Sequence, residues 1–333
     1  ILENYKINIK TEFGEYNIVG LSAEDFPEKI EIKTEEKTEF ASKELEELID
    51  YTINSTSTED LKPSLQGICL STDETKTEFV STDGHRLSKI TANKNNLLAK
   101  KTIIPTKFFK LLHPFLKDNE KTDLIIGENH AQVFLKGIKI STRLIKDTYP
   151  NYEKVIPKNN EKEVKVETRA LIRSLKRVSV FSNKKTKQAN LTFNPNNINI
   201  KAEDVETATS AKETVLCDYK GEEETIAFNA EYLKEILEKT SSETTKIVFK
   251  NNHSAVLILP EKQSKLQKTS LLMPIRISWM YLKEIRLGNL RPFSYKKIQL
   301  QKGINVIFGK NGTGKTTVLE AIHLLSLGKS FKT

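Results

Sequence analysis

Two short segments carry residue types at spacings that can do chemistry. The first is Gly309-Lys-Asn-Gly-Thr-Gly-Lys-Thr316, a G-x-x-x-x-G-K-T pattern between the apolar run Ile304-Asn-Val-Ile-Phe308 and the helix-spaced run from Thr317. Gly309, Gly312 and Gly314, with Asn311 between them, let backbone N–H groups converge on phosphate oxygens at a helix N-terminus. Lys315 would reach the terminal phosphates and Thr316 would ligate Mg²⁺, so ATP with Mg²⁺ is the expected ligand of this segment. The second is Ser81-Thr-Asp-Gly-His-Arg-Leu87. Asp-Gly readily adopts the positive φ of a hairpin, so a tight turn is one reading and a binding site the other. His85 has no neighbouring set of ligands at metal spacing. Cys69 and Cys217, the two cysteines, cannot form a zinc site alone or a disulfide framework, which points to a reducing, cytoplasmic setting. No cluster of metal-binding carboxylates suggests polymerase or nuclease chemistry.

Charge separates the chain into two kinds of sequence. It holds 53 Lys and Arg against 44 Asp and Glu, a net of +9. Residues 280–333 hold ten Lys/Arg and two Asp/Glu, a net of +8, whereas the preceding 279 residues hold 43 and 42. Any affinity of the long part for a polyanion must therefore come from the arrangement of its charges. Nothing approaches the ~18 apolar residues of a membrane-spanning helix. A start that is not methionine, with only Met273 and Met280 in the chain, reads as a fragment.

The elements that would position these segments come in repeats. Apolar residues at Leu45, Leu48, Ile49 and Ile53, and again at Leu171, Leu175 and Val178, follow helical spacing, with Leu171 lying 126 residues after Leu45. Pro105-Thr-Lys-Phe-Phe-Lys-Leu-Leu and Asn229-Ala-Glu-Tyr-Leu-Lys-Glu-Ile match at an offset of 124. Asn129-His-Ala-Gln-Val-Phe-Leu and Asn252-His-Ser-Ala-Val-Leu-Ile match at 123, as do Phe26-Pro27 and Tyr149-Pro150. Between the helices lie alternating segments such as Thr77–Ser81 and Ile138–Leu144. A period this long exceeds that of solenoids and suits tandem domains of one α+β fold. The expected division is the end of one unit (1–35), a full unit (36–160), another (161–278) and a distinct tail (280–333). In the helix from Thr168, Arg169, Arg173, Lys176 and Arg177 form a stripe. Arg169 lies about 200° from Leu171, so the stripe faces away from the core. Lys184, Lys185 and Lys187 extend the charge. A solvated basic face and a face for phosphates are both compatible with it.

Thr82-Asp-Gly-His-Arg-Leu87, Asp25-Phe-Pro27, Tyr149-Pro-Asn-Tyr152 and Leu272-Met-Pro-Ile-Arg276 together resemble the bacterial DNA polymerase III beta subunits, the sliding clamps, over about residues 1–278. The resemblance implies tandem processivity-clamp domains, with helices lining a hole around double-stranded DNA and antiparallel sheets outside. It implies no catalysis and no cofactor, only a topological tether that gives a polymerase processivity. The family's intact members are homodimeric rings of three-domain protomers; with most of the first domain missing, ring closure is expected to be impaired.

The resemblance also implies a partner cleft between the second and third domains, for short apolar peptides of the polymerase III alpha subunit, the clamp loader and other proteins. Matched position by position, it would use Leu65, Thr82, Gly84, His85, Arg86 and Leu87. Pro150, Lys154 and Val155 would come from the connector, with Asn229, Tyr232, Leu271, Met273, Pro274, Ile275 and Arg276 from the third domain. Arg86 and Arg276 would hold peptide carbonyls or carboxylates at the rim. Ordinary core is the competing reading for the leucines and valine. Thr186 stands where an aromatic lines the cleft in the family, and Pro63-Ser64 where some members carry a tyrosine pair. The basic stripe with Lys184, Lys185 and Lys187 would face DNA.

The tail, with Phe308-Gly-Lys-Asn-Gly-Thr-Gly-Lys and Gly328-Lys-Ser-Phe-Lys, resembles the beginning of the RecF recombination ATPases. Tyr281–Leu287 and Tyr295–Leu300 read as strands, Ile304–Phe308 as a buried strand and Thr317 onward as a helix, the start of an incomplete α/β phosphate-loop fold. The acid and signature segments that complete such ATPases are not in it, so efficient hydrolysis is not expected. Trp279, the single tryptophan, falls where the two resemblances meet. Either two adjacent reading frames have been joined there or the chain is a genuine fusion.

Overall fold

The computed structural model describes residues 5–25, 32, 37–93, 100–117, 119–135, 137–276, 282–301 and 303–327. Phe26-Pro27, Trp279 and Gly328–Lys332 lie outside them. The chain divides into two units, Ile1–Arg276 and Ile277–Thr333.

In the first unit, β1 (Lys6–Thr11) and β2 (Gly14–Val19) form an antiparallel hairpin. There follow β3 (Lys37–Ala41), α1 (Ser42–Thr52), β4 (Gly67–Thr72), β5 (Lys76–Thr82), β6 (Arg86–Asn93) and β7 (Lys100–Pro105). Then come α2 (Thr106–Leu116), β8 (Lys121–Ile126), β9 (His130–Leu135) and β10 (Ile138–Arg143). The same order recurs: β11 (Lys162–Glu167), α3 (Thr168–Val178), β12 (Gln188–Asn194), β13 (Asn197–Asp204), β14 (Thr209–Asp218) and β15 (Glu224–Asn229). It ends with α4 (Ala230–Thr240), β16 (Thr244–Phe249), β17 (Val256–Pro260) and β18 (Leu266–Leu272). The helices start at Ser42 and Thr168, and at Thr106 and Ala230, the offsets seen in the sequence.

Each helix forms because its apolar stripe has a sheet to cover. Leu45, Leu48 and Ile49 of α1, and Leu171, Leu175 and Val178 of α3, are completely buried. Burial of each such side chain is worth about 1.5–3 kcal/mol. They enter two separate cores, one around Phe79 and Phe109, the other around Phe193 and Phe249. Neither α1 nor α3 has a side-chain cap; each springs directly from the preceding strand. Asn229 instead caps α4, its side-chain oxygen accepting from the amides of Glu231 and Tyr232.

The two repeats are joined by continuing one sheet through both. β6 pairs with β18 in antiparallel register from Ala92↔Leu266 to Arg86↔Leu272. The resulting twelve-stranded sheet runs β15-β12-β13-β14-β11-β16-β17-β18-β6-β5-β4-β7, and β10-β9-β8-β3 forms a second sheet. Pairing removes two edges that would otherwise present open hydrogen-bonding groups. The Tyr51 hydroxyl meets that of Ser270 at 2.8 Å across the junction, and buried Lys268 reaches Glu47 at 2.8 Å.

The second unit contains β19 (Glu284–Leu290), β20 (Phe293–Gln299) and α5 (Lys315–Leu327). The expected strand over 304–308 is not formed: Ile304, Val306 and Phe308 are 95, 76 and 88% exposed. A buried strand needs flanking strands to bond both its edges, and no described strand pairs with this segment. No described helix is long and apolar enough to cross a membrane.

Candidate functional site

The turn at Asp83–His85 builds its own geometry. Asp83 Oδ1 accepts from the amides of His85 at 2.8 Å and Arg86 at 2.9 Å. Thr82 Oγ1 donates to the Arg86 carbonyl at 2.6 Å and accepts from the Gly84 amide at 3.1 Å. Gly84 has φ +91°, a conformation that other residues rarely adopt. The segment is a tight turn, and it brings residues from both sides of the domain junction together. The His85 carbonyl accepts from the Met273 amide at 2.8 Å, and the Ile275 amide donates to Ala227. That pair of bonds pins 273–275 between the two repeats.

An apolar shelf lies beside this crossing. Leu65, Leu87 and Leu271 are 5, 2 and 3% exposed and share one cluster with Cys69, Val80, Ile103, Tyr149 and Tyr152. Val155 and Met273 are 55 and 41% exposed. Pro150, Lys154 and Arg276 are exposed, and Pro274 and Ile275 half-buried. Exposed Val and Met side chains next in the chain to a buried aliphatic cluster can take up apolar groups of varied shape, Met adapting most readily. Thr186 is exposed.

Arg86 is not at the rim, as the sequence suggested. It is 7% exposed and its guanidinium is already engaged, donating to Asp83 at 3.1 Å, to Glu235 at 2.5 Å and to the Asn54 carbonyl. It also lies 4.1 Å from the Tyr232 ring centroid. Because Glu235 and Tyr232 belong to α4, Arg86 is a tie between the repeats. Asn229 is likewise occupied, as the α4 cap. A polar cavity of about 430 Å³, lined by Asn54, Glu59, Asp83, His85, Arg86, Lys110, Tyr232 and Glu235, adjoins this tie.

On α3, Arg169, Arg173, Lys176 and Arg177 are all exposed, opposite the buried stripe. Three have carboxylate partners: Arg177 is held by Glu213 through two bonds of 2.6 Å, Lys176 by Glu238 at 2.9 Å and Arg173 by Glu167 at 3.8 Å. Arg169 has none among the described residues. A groove of about 740 Å³ between α3 and α4 includes Arg169, Lys176 and Glu238. Lys184, Lys185 and Lys187 are exposed but lie past the helix, in the turn leading to β12.

In the second unit the phosphate loop leads directly into α5. Gly312 and Gly314 have φ +81° and +92°. A Cβ at Gly314 would meet the Phe293 ring at 2.5 Å, so glycine is required there. Lys315 Nζ donates to the Gly309 and Lys310 carbonyls, both at 2.8 Å, and Asn311 and Thr316 are exposed. No group of three or more potential metal-ligating His, Cys, Asp or Glu occurs among the described residues.

With this geometry in view, comparison with known proteins is decisive for the first unit. Residues 39–151 match the DNA polymerase III beta subunit central domain, and 153–276 its C-terminal domain. The beta sliding clamp of Synechococcus elongatus is 30% identical over 277 residues, which span 79% of this chain and 72% of that protein. The chain belongs to the beta sliding clamp family. A second sliding clamp, from Haemophilus influenzae, is 29% identical over 79% of this chain and 71% of its own length. The crystal structure of the polymerase III subunit beta from Pseudomonas aeruginosa superposes with a TM-score of 0.75, at 24% identity, over 83% of this chain and 76% of that one. The C. crescentus beta sliding clamp gives 0.75 at 25% identity, over 82 and 74%. Residues 284–332 match an AAA domain.

The residues that support the cluster of Leu65, Leu87 and Leu271 were not singled out as site residues in the sequence. Tyr149 and Tyr152 are each 5% exposed and stack edge-to-face with centroids 6.4 Å apart. Beneath them, the buried Glu78 is held by Lys76 and Lys89. The Tyr-x-x-Tyr spacing around Pro150 was the available signal for the rings. Glu78 left none, since an acid inside an alternating strand reads as solvent-facing.

Proposed function

We propose that this chain works as a non-catalytic accessory subunit of DNA polymerase III, a sliding clamp that gives processivity and offers a cleft to partner proteins. The observation that carries this reading is the domain junction, where Leu65, Leu87 and Leu271 are buried in one cluster and Val155 and Met273, on the chain segments leading from it, are exposed. Short apolar segments of the polymerase alpha subunit, the clamp loader and other partners would lay side chains there. The segment 273–275, already pinned by backbone bonds, supplies one wall. The exposed cations of α3 would meet phosphates without reading bases, so retention on double-stranded DNA is topological and direct affinity weak. In this reading 36–160 and 161–278 are the second and third clamp domains, and 1–35 is the end of the first. The test is surface-plasmon binding of the immobilised alpha subunit. Val155→Asp and Met273→Asp should each abolish binding, while unchanged binding by both would overturn the cleft.

A second reading concerns 280–333 alone and rests on the loop geometry. The positive φ of Gly312 and Gly314 turns the backbone into the start of α5, where amides suit phosphate oxygens. Gly309, Asn311, Gly312 and Gly314 would form the cradle, Lys315 would leave its carbonyls for the terminal phosphates, and Thr316 would face Mg²⁺. Bound ATP would bring its own phosphate chain as the ligand; the unit is proposed as a RecF-like nucleotide-binding start without turnover. Equilibrium dialysis with labelled ATP checks it: binding lost in Lys315→Ala is expected, and binding indifferent to Lys315 refutes it.

A further inference from the structure

We infer that Glu78 is a positioning residue for the partner cleft: from inside the second domain's sheet it fixes the connector that carries Val155 to the cleft's edge. The inference rests on the cleft reading above and concerns what holds that cleft in shape.

Glu78 lies on β5 between Thr77 and Phe79, and is 4% exposed. A buried carboxylate is costly unless its charge and lone pairs are met. Here they are met from three directions. Oε1 takes Lys89 Nζ at 2.8 Å from neighbouring β6 and Lys76 Nζ at 3.0 Å from β5 itself. Oε2 accepts the Tyr152 hydroxyl at 3.1 Å. Burial works against ionisation of Glu78, but Lys89 and Lys76 outweigh it and hold the carboxyl below its ordinary value. Burial and the carboxylate both raise the Tyr152 hydroxyl, so it remains a donor. A hydrogen bond to an ionised acceptor is roughly twice as strong as a neutral one.

Tyr152 is held at mid-connector, apart from the backbone bonds of Leu144 and Ile145 at the connector's start and the Asn160 side-chain amide at its end. Between β10 and β11 the sole regular element is the 3-10 turn Tyr152–Lys154. Its closing bond runs from the Val155 amide to the Tyr152 carbonyl at 3.2 Å. The anchored ring and the exposed Val155 side chain are thus fixed to each other by one turn. Tyr149, the other connector ring, donates to the Val80 carbonyl at 3.4 Å. The strand has no packing need for an acid at position 78, since Phe79 and Val80 on either face of β5 are completely buried without it. What the acid supplies is a defined place for the connector.

The experiment measures affinity for the immobilised polymerase alpha subunit alongside thermal unfolding of the full chain. Tyr152→Phe removes only the hydroxyl and should weaken binding about tenfold, chiefly through faster dissociation, with the melting temperature little changed. Glu78→Ala should weaken binding at least as much, with a lower melting temperature because Lys89 and Lys76 lose their shared partner. Glu78→Gln, whose amide oxygen can still accept from Tyr152, should recover part of the loss. If Tyr152→Phe binds like the parent chain while Val155→Asp does not, the inference is wrong and the cleft stands. If Val155→Asp and Met273→Asp also bind like the parent, the cleft reading falls and the inference with it. Weakened binding of Tyr152→Phe accompanied by a collapse in its thermal stability would also overturn the inference, because the connector would then be merely part of the fold.

Discussion

Arg86→Ala removes the tie between the second and third domains, and its cost follows from the contacts. The side chain is almost buried, and its loss leaves Asp83, 11% exposed, without a charged partner. Two backbone amides still donate to Asp83, so that carboxylate loses part of its stabilisation, about 1.5–2 kcal/mol. Glu235 is 35% exposed and can rehydrate, which limits its share to about 1 kcal/mol or less. The Tyr232 face contributes roughly another 1 kcal/mol. Since one group makes all these contacts, the terms overlap, and a total near 3 kcal/mol is expected. Arg86→Lys keeps a charge but not the planar fork, and should lose about half as much. Urea unfolding followed by far-ultraviolet circular dichroism measures both. A double-mutant cycle with Glu235→Gln should give a coupling of about 1 kcal/mol. An Arg86→Ala chain within about 0.5 kcal/mol of the parent, the range of an ordinary surface change, would refute the reasoning.

Three further outcomes follow from other parts of the molecule. Burial pushes the Cys69 thiol from 9.0 to about 11, against the opposing pull of Lys101. The unfolded chain therefore releases this proton first, and the contribution, roughly 3 kcal/mol, is present below pH 9 and lost as pH rises toward 11; urea midpoints that stay flat across that interval in the parent, or fall equally in Cys69→Ala, would contradict it. On α3, Arg169→Ala should reduce the salt slope of DNA binding by about 1, and Arg177→Ala by less because Glu213 already holds it; equal slopes for the two variants would show that these ion pairs do not matter. ATP hydrolysis by the purified chain should not exceed background, and turnover that disappears in Lys315→Ala would show that the second unit is more than a phosphate cradle.

Much of the fold was legible because periodicity reports which face of an element is buried. The offset of 126 between Leu45 and Leu171 became two helices in equivalent places, and the α3 stripe separated from its core as its spacing required. Leu65, Leu87 and Leu271 are buried in one cluster, which both the cleft reading and the ordinary-core reading of the sequence allow. Periodicity says nothing about partners far along the chain. Arg86 meets Glu235 149 residues later, so its role as a tie rather than a rim contact was hidden. Asn229 carries an ordinary cap signal, yet the family pattern assigned it to the cleft. The run Ile304–Phe308 has strand composition, but composition cannot provide the neighbouring strands that a buried strand needs.

The central claim is that partner proteins sit on the shelf at the junction of the two clamp domains. Photo-crosslinking to the polymerase alpha subunit tests it most directly. A photoreactive p-benzoylphenylalanine is placed at position 155 or 273, with position 308 in the second unit as the control. Cross-linked product from 155 and 273 but not from 308 is the predicted result. Cross-linking from 308 alone, or from none of the three while the two proteins still bind, would contradict it.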